Sequence, residues 1–372
     1  MRFIVLGGAG DMGSQAVEDL AVTPGVAQVT IADRDYVRAE QVVRRLSAAP
    51  ALVDVVELDA GDHDGLVAAM RGYDVAASAL GPFYRYEAPL ARAAIEAGVD
   101  YASICDDWSA VDAVLALDDQ ARAAGRTVIT GLGASPGLSN LAVALLAEEM
   151  DTIRQADIYV YMPLDAGEGQ AVLRHMLYML SGQVPVHRQG ERCMVPACSL
   201  VRTVQFPRFG EVRVWNVGHT EPVTLPRTFP GLQTVNIMLG MGPGTGAFVS
   251  LARLGLFGGP EKIERWARRL GPLTHLGARQ ELPPPGAIRI DVVGERQGLV
   301  VHRLLCGVDR MRPATGLSLS VGALMLARGE LTAPQGGVYP PEACLAPRPF
   351  VASMADRGLR VYRDLAMTRL LD

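Results

Sequence analysis

Over the first 130 residues, short apolar runs alternate with amphipathic stretches. RFIVL, VTIAD, VDVVEL, DVAASAL, YASI and TVIT each have the length of a strand. FIVL and AASAL are apolar without a break, as strands covered on both faces must be. Between such runs, YVRAEQVVRRLSA and SAVDAVLALDDQARAAG gather their apolar residues on one helical side. This alternation predicts a doubly wound parallel sheet, the Rossmann arrangement.

Beyond about residue 150 the pattern changes. DIYVYMP, LVRTVQF, EVRVWNV and TVNIMLG read as strands with few helices between them. In AIRIDVVGERQGLVVHRLLCG, Ile288, Ile290 and Val292 alternate with Arg289 and Asp291, and ERQG turns the chain, so a hairpin is predicted. Helices are predicted over 169–181 and 260–270, where Pro260 suits a first helical turn. TGLSLSVGALMLARGE reads as a helix, and RPFVASMADRGLRVY as a helix followed by a short strand. The expected fold class is α/β: an N-terminal Rossmann sheet, then an α+β domain with a mixed, largely antiparallel sheet.

At 372 residues the chain exceeds one ordinary core, which agrees with two domains. Its net charge of −5 offers no electrostatic footprint for nucleic acid or anionic lipid. Lys262 is the only lysine, which excludes a Walker phosphate loop and argues against a Schiff base. Five irregularly spaced cysteines without a CxxC support neither a disulfide framework nor a metal site. The uncharged runs 127–147 and 228–252 are broken by Pro, Gly, Ser and Asn, so no membrane span is expected. MRFIVL leads straight into a glycine loop without a cleavage region, so a cytoplasmic protein is expected.

LGGAGDMG places Gly8, Gly10 and Gly13 after the first strand and before a helix. In this pattern Gly8 permits the tight turn, Gly10 lets backbone approach a pyrophosphate, and Gly13 lets helix pack on strand. Asp11 and Met12 lie in the same loop, within reach of that cofactor. Asp33 ends the second strand 20 residues after Gly13, where a carboxylate accepts hydrogen bonds from an adenosine ribose. NAD is therefore expected, with NADP an alternative through Arg34. The crevice of such a sheet opens where the first and fourth strands end side by side, so Ala79, Leu80, Gly81 and Pro82 should line the cofactor.

The fifth strand ends in Cys105, Asp106 and Asp107. The two acids either bind a substrate ammonium and move a proton, or cap the following helix. Tyr84 and Tyr86 are phenolic donors or packed aromatics, and Cys105 is a small buried residue. The sixth strand ends in GLGASPGLSN, a near-copy of the cofactor loop. Pro136 stands where the third glycine would be, and no acid ends the next strand, which argues against a second dinucleotide site. The loop is either a close approach to a ligand or the other domain, or a plain strand-to-helix turn. Pro136 then sits in the first helical turn and Asn140 orients the loop or a ligand. On the helix around 175, Arg174 and Tyr178 share a side, and His175 is a proton carrier or a structural histidine. Arg227 is a bidentate carboxylate partner or a surface arginine.

GGAGDMG, the ALGPF loop, the ExGVxY segment and above all GLGASPGLSN resemble the saccharopine dehydrogenase and lysine 6-dehydrogenase family. So do residues 206–232 and the tail ATGLSLSVGALMLARGELTAPQGGVYPPE, with a weak patch around 241–285. The resemblance implies an NAD(P) domain (1–131), a substrate-binding and dimerisation domain (132–312) and a C-terminal segment (313–372) packing back on the first. It implies a homodimer that moves a hydride between a nicotinamide and the amine or imine carbon of a small amino-acid substrate. It also puts His219 and Glu221 on a substrate-facing loop. Oxidising CH–NH needs a proton acceptor and charge partners beside the nicotinamide, and Asp106, Asp107, Tyr84 and His175 are the candidates for the first need. His219, Glu221, Arg227, Arg174 and Asn140 are the candidates for the second. The competing expectations are a non-catalytic dinucleotide sensor and an enoyl-reductase-like accessory protein, which shares the GPF loop.

Overall fold

The sequence alternation of the first 130 residues becomes a parallel sheet in the computed structural model, which describes residues 1–163, 170–242, 245–253, 257, 259–274 and 284–371. Its elements are β1 (Arg2–Leu6), α1 (Asp11–Val22), β2 (Gln28–Asp33), α2 (Tyr36–Arg45), β3 (Leu52–Glu57) and α3 (His63–Met70). There follow β4 (Val75–Ser78), α4 (Phe83–Ala97), β5 (Asp100–Ser103), α5 (Trp108–Leu115), α6 (Asp118–Ala124), β6 (Thr127–Thr130) and α7 (Leu138–Ala147).

A second set of elements then builds a different sheet. It comprises β7 (Thr152–Tyr161), α8 (Gln170–Met179), β8 (Gln183–Arg188), β9 (Glu191–Pro196), β10 (Val201–Phe206) and β11 (Gly210–Asn216). It continues with α9 (Glu221–Thr228), β12 (Thr234–Gly240), α10 (Thr245–Arg253), α11 (Pro260–Thr274), β13 (Gly286–Arg296) and β14 (Leu299–Asp309). The chain ends with α12 (Met311–Ala327), β15 (Gly337–Tyr339), α13 (Pro341–Cys344) and α14 (Pro347–Asp356). Residue 169, the predicted start of a helix, lies outside the described residues.

The chain divides into two compact units: Met1–Leu141 with Arg312–Arg357, and Ala142–Met311 with Gly358–Asp372. The first unit holds a seven-stranded parallel sheet in the order β15-β6-β5-β4-β1-β2-β3. Apart from β15, which the sequence pattern did not reveal, this is the Rossmann order. β4, β5 and β6 are buried along their whole length, as central strands covered on both faces are. α4 covers one face with Leu90, Ala91, Ala94 and Ile95. Each large side chain so buried contributes about 1.5–3 kcal/mol. α12 lies against α1: the Arg312 guanidinium pairs with Glu18 at 2.7 Å and donates to Gln15 Oε1 at 2.9 Å.

The second unit holds an eight-stranded sheet whose main path is β10-β11-β12-β7-β13-β14, with β8 pairing β12 and β9. Only the β12–β7 pair is parallel, so the sheet is mixed and largely antiparallel. The β13–β14 hairpin stands as predicted, turning at Gln297 and Gly298. No helix among the described residues is long and apolar enough to cross a membrane.

Candidate active site

The glycine loop joins β1 to α1. Its left-handed residue is Gly7, with φ +72°, so the tight turn assigned to Gly8 belongs one position earlier. Gly8 is required for packing instead: a Cβ there would press on the Val5 carbonyl at 2.9 Å and on Ile31 at 3.1 Å. At Gly13 a Cβ would collide with the Gly7 carbonyl, which is the helix-on-strand contact expected of that position. Gly10 is different, because a Cβ there would approach only the Gly7 oxygen, at 3.2 Å. Gly10 is also the N-cap residue of α1, and no side chain caps the helix. The first turn of α1, with Asp11 and Met12, therefore keeps backbone N–H groups for an anion.

The carboxylate of Asp33 reaches back over this loop. Its Oδ2 accepts the Ala9 N–H at 3.1 Å and its Oδ1 the Asp35 N–H at 3.0 Å. Arg34 is exposed, and the arginine that approaches the loop is Arg38, paired with Asp11 at 2.7 Å. Sequence reading missed Arg38, which sits one helical turn beyond Arg34. The residues present fit a dinucleotide: an uncapped helix start, a glycine at its N-cap, and an acid at the end of β2.

The β4 loop lies against the glycine loop. A Cβ on Gly7 would meet Leu80 Cα at 3.0 Å and the Ala79 carbonyl at 3.1 Å. The Gly81–Pro82 bond is cis, and α4 starts at Phe83 directly after it. Tyr84 is half-buried in the first turn of α4, and its N–H donates to Asp107 Oδ2 at 2.9 Å. Asp107 does occupy the N-cap position of α5, but its side chain caps α4 instead. It thus ties two rim loops together, and it is 1% exposed. Asp106 beside it is half-buried. Cys105 is fully buried, and burial first, then the nearby Glu87 carboxyl, pushes its thiol well above the ordinary range. It is a packing residue.

The crossover loop GLGASPG is buried within its own unit. Gly131 and Gly137 have φ of +93° and +116°, and Gly133 and Gly137 form a bridge. Gly131 backs onto Pro136, whose Cγ would stand 3.2 Å from a Cβ there. Leu132 packs into the space left by Gly322 of α12. The near-copy of a cofactor motif is therefore explained by backbone packing on itself and on α12. Pro136 does not enter the helix: it follows a cis bond in a turn, and α7 begins at Leu138. Asn140 is fully buried, with its Oδ1 accepting from the Ser139 hydroxyl at 3.1 Å, a position that orients the loop.

In the second unit, the loop after β11 carries His219 and α9 opens with Glu221. His219 Nδ1 lies 2.6 Å from Glu221 Oε2, and both side chains are buried, Glu221 completely. The loop is anchored where the Gly218 N–H donates to the Met179 carbonyl at the end of α8, 2.8 Å away. α8 brings His175 to an edge-on contact with His219, ring centroids 6.0 Å apart. Arg174 is held bidentately by Glu264 of α11, at 2.8 and 2.9 Å. This pairing ties α8 to α11. Arg227 is exposed in the last turn of α9, six residues from Glu221 and so about 9 Å along the axis. Arg227 therefore does not join the His219–Glu221 pair.

Residues 3–129 match the family model described as the saccharopine dehydrogenase NADP binding domain. Over 96% of the chain, and 96% of the relative, the sequence is 22% identical to carboxyaminopropylagmatine dehydrogenase of Synechocystis. The fold is similar to that of saccharopine dehydrogenase (L-Glu forming) from Saccharomyces cerevisiae. That likeness has a TM-score of 0.69 at 15% identity, covering 96% of this chain and 98% of the other. The first unit thus carries a saccharopine dehydrogenase-type NAD(P)-binding domain, as the sequence resemblance implied.

Proposed function

We propose that this saccharopine dehydrogenase-like, NAD(P)-dependent oxidoreductase acts on the CH–NH bond of an amino acid or an amino-acid-derived amine. The observation that carries the finer reading is the His219–Glu221 pair. Removing a hydride from an amine carbon leaves an iminium, and the nitrogen's proton must find an acceptor. A buried imidazole held at Nδ1 by a buried carboxylate, 2.6 Å away, is a group of the kind that takes such a proton. His175 stands beside it, ring centroids 6.0 Å apart. The Synechocystis relative is named for a substrate built on agmatine and the yeast protein for saccharopine. Both names support an amine substrate that also carries a carboxyl group.

The first unit holds the dinucleotide. Gly10, Asp11 and Met12 receive the pyrophosphate, Asp33 the adenosine ribose, and Ala79, Leu80, Gly81 and Pro82 the nicotinamide end. A bound nicotinamide supplies the hydride chemistry. NAD is the favoured form, because Asp33 presents a carboxylate where a 2′-phosphate would be repelled. Asp33→Ala is expected to weaken NADH binding about tenfold, the scale of one charge-assisted hydrogen bond. NADPH binding should fall less, and equal loss for both dinucleotides would remove Asp33 from the ribose.

The test of the whole reading is a fluorescence titration with NADH and NADPH. It is followed by an absorbance screen of diamines, basic amino acids and amine–keto-acid pairs in both directions. Turnover with at least one amine or imine is expected. Dinucleotide binding without turnover on any of them would favour the non-catalytic sensor. The expected homodimer is checked by mass measurement in solution.

A further inference from the structure

β4, β5 and β6 each end in a hydroxyl residue: Ser78, Ser103 and Thr130. The parallel register sets these in one row, Ser78 beside Ser103 and Ser103 beside Thr130. Three rim loops leave the sheet directly after this row: Ala79–Pro82, Ile104–Asp107 and the crossover loop from Gly131. A single carboxyl from α4 sits on the row. Glu87 is fully buried; its Oε1 accepts the Ser103 hydroxyl in a short hydrogen bond and the Thr130 hydroxyl at 3.2 Å. Its Oε2 accepts the Tyr101 hydroxyl at 3.0 Å, and Tyr101 is in turn bonded to Ser78. Ser103 Oγ also receives the Cys105 N–H at 3.4 Å, and Ser78 Oγ the Leu80 N–H at 3.4 Å. The network therefore reaches the first residues of the rim loops themselves.

We propose that Glu87 is a positioning residue: its buried carboxyl locks the ends of three strands together and so sets the loops that receive the nicotinamide end of the dinucleotide. An α-helix packed on such a sheet needs only apolar contacts, and a buried carboxyl is destabilising unless something uses it. Here every hydrogen-bond partner is the last residue of a strand, or the tyrosine that relays to one. The groups facing Glu87 are Ser78 from β4, Tyr101 and Ser103 from β5, Thr130 from β6, and Cys105 and Asp107 from the loop after β5.

Burial, with a smaller contribution from Asp107, pushes the Glu87 carboxyl up from 4.5 to about 7 against the pull of its three hydroxyl donors. The folded state therefore holds this proton more tightly than the unfolded chain. The stability so gained is fully present below about pH 4.5 and is lost as pH rises through about 7. Above that pH the ionised carboxyl draws water under the rim, and the loops lose the geometry the cofactor needs.

The proposal rests on the reading that this rim holds the dinucleotide, and the experiment separates the two. NADH affinity is measured at pH 6 and pH 8 for the wild type and for Glu87→Gln, which is neutral at both. Wild-type affinity should fall at least about fivefold between the two, the low end of site-to-site couplings. Glu87→Gln should be nearly flat. Binding with the same pH ratio in both proteins overturns the proposal and leaves the cofactor reading standing. If neither NADH nor NADPH binds the wild type, the cofactor reading fails and the proposal with it. Urea unfolding without cofactor at the same two pH values then tests the buried lock alone. The wild type should lose more stability than Glu87→Gln as pH rises, and equal loss would remove the lock as well.

Discussion

Replacing His219 by alanine is expected to lower turnover about 10²–10⁴-fold, the usual contribution of a positioned acid–base group. The dinucleotide affinity should stay unchanged, because the proposed role of His219 is toward the substrate nitrogen and not toward the glycine loop or Asp33. The effect is assigned to His219 because its Nδ1 is held by a buried carboxylate, 2.6 Å away. Glu221→Gln should give a smaller loss. The amide still accepts from Nδ1–H but no longer stabilises the imidazolium formed when Nε2 takes the proton. The discriminating measurement is the pH dependence of kcat. A proton acceptor at Nε2 leaves an acid limb that shifts in Glu221→Gln and disappears in His219→Ala. Undiminished turnover in His219→Ala would move the role to Asp106 or Tyr84 of the first unit.

The fold was legible where one physical rule governs one stretch of chain. Unbroken apolar runs marked β1 and β4, because strands buried on both faces leave no place for alternation. The β8–β9 hairpin was invisible because β9 is mostly exposed and its charged residues hide any period. β15 was invisible because three residues, the first of them a left-handed glycine, carry too little pattern. Local pairs of the site were legible too. Gly10, Gly13 and Asp33 stand at fixed spacings, and His219 and Glu221 are two residues apart at a strand end. What could not be read was pairing at a distance. The Arg174–Glu264 tie was not legible because Glu264, which takes two of the three guanidinium nitrogens, is 90 residues away in sequence. Glu87 looked like any polar helix residue because its partners come from two other strands. Asp107 looked like a cap for its own helix and caps another.

Gly137→Ala in the crossover loop should destabilise the chain by about 3 kcal/mol or more, read as a fall in the urea midpoint without a change in m. Two costs combine. Its φ of +116° lies where an L side chain is strained by about 1–3 kcal/mol. A Cβ would also collide with the backbone of Gly133 and stand 2.9 Å from the Gly131 carbonyl, and overpacking of this kind adds about 1–3 kcal/mol. Backbone atoms on both sides of the turn leave no flexible group to yield. Gly125→Ala separates the two costs. Gly125 also has positive φ, +61°, but a Cβ there meets nothing within 4 Å. It should cost only about 1–2 kcal/mol, the left-handed penalty alone. If both variants lose the same stability, the glycines of GLGASPG are present for backbone conformation only. If Gly137→Ala loses clearly more, they are present so that the loop can close on itself. That second outcome explains why a segment that looks like a cofactor loop carries glycines at these positions without being one.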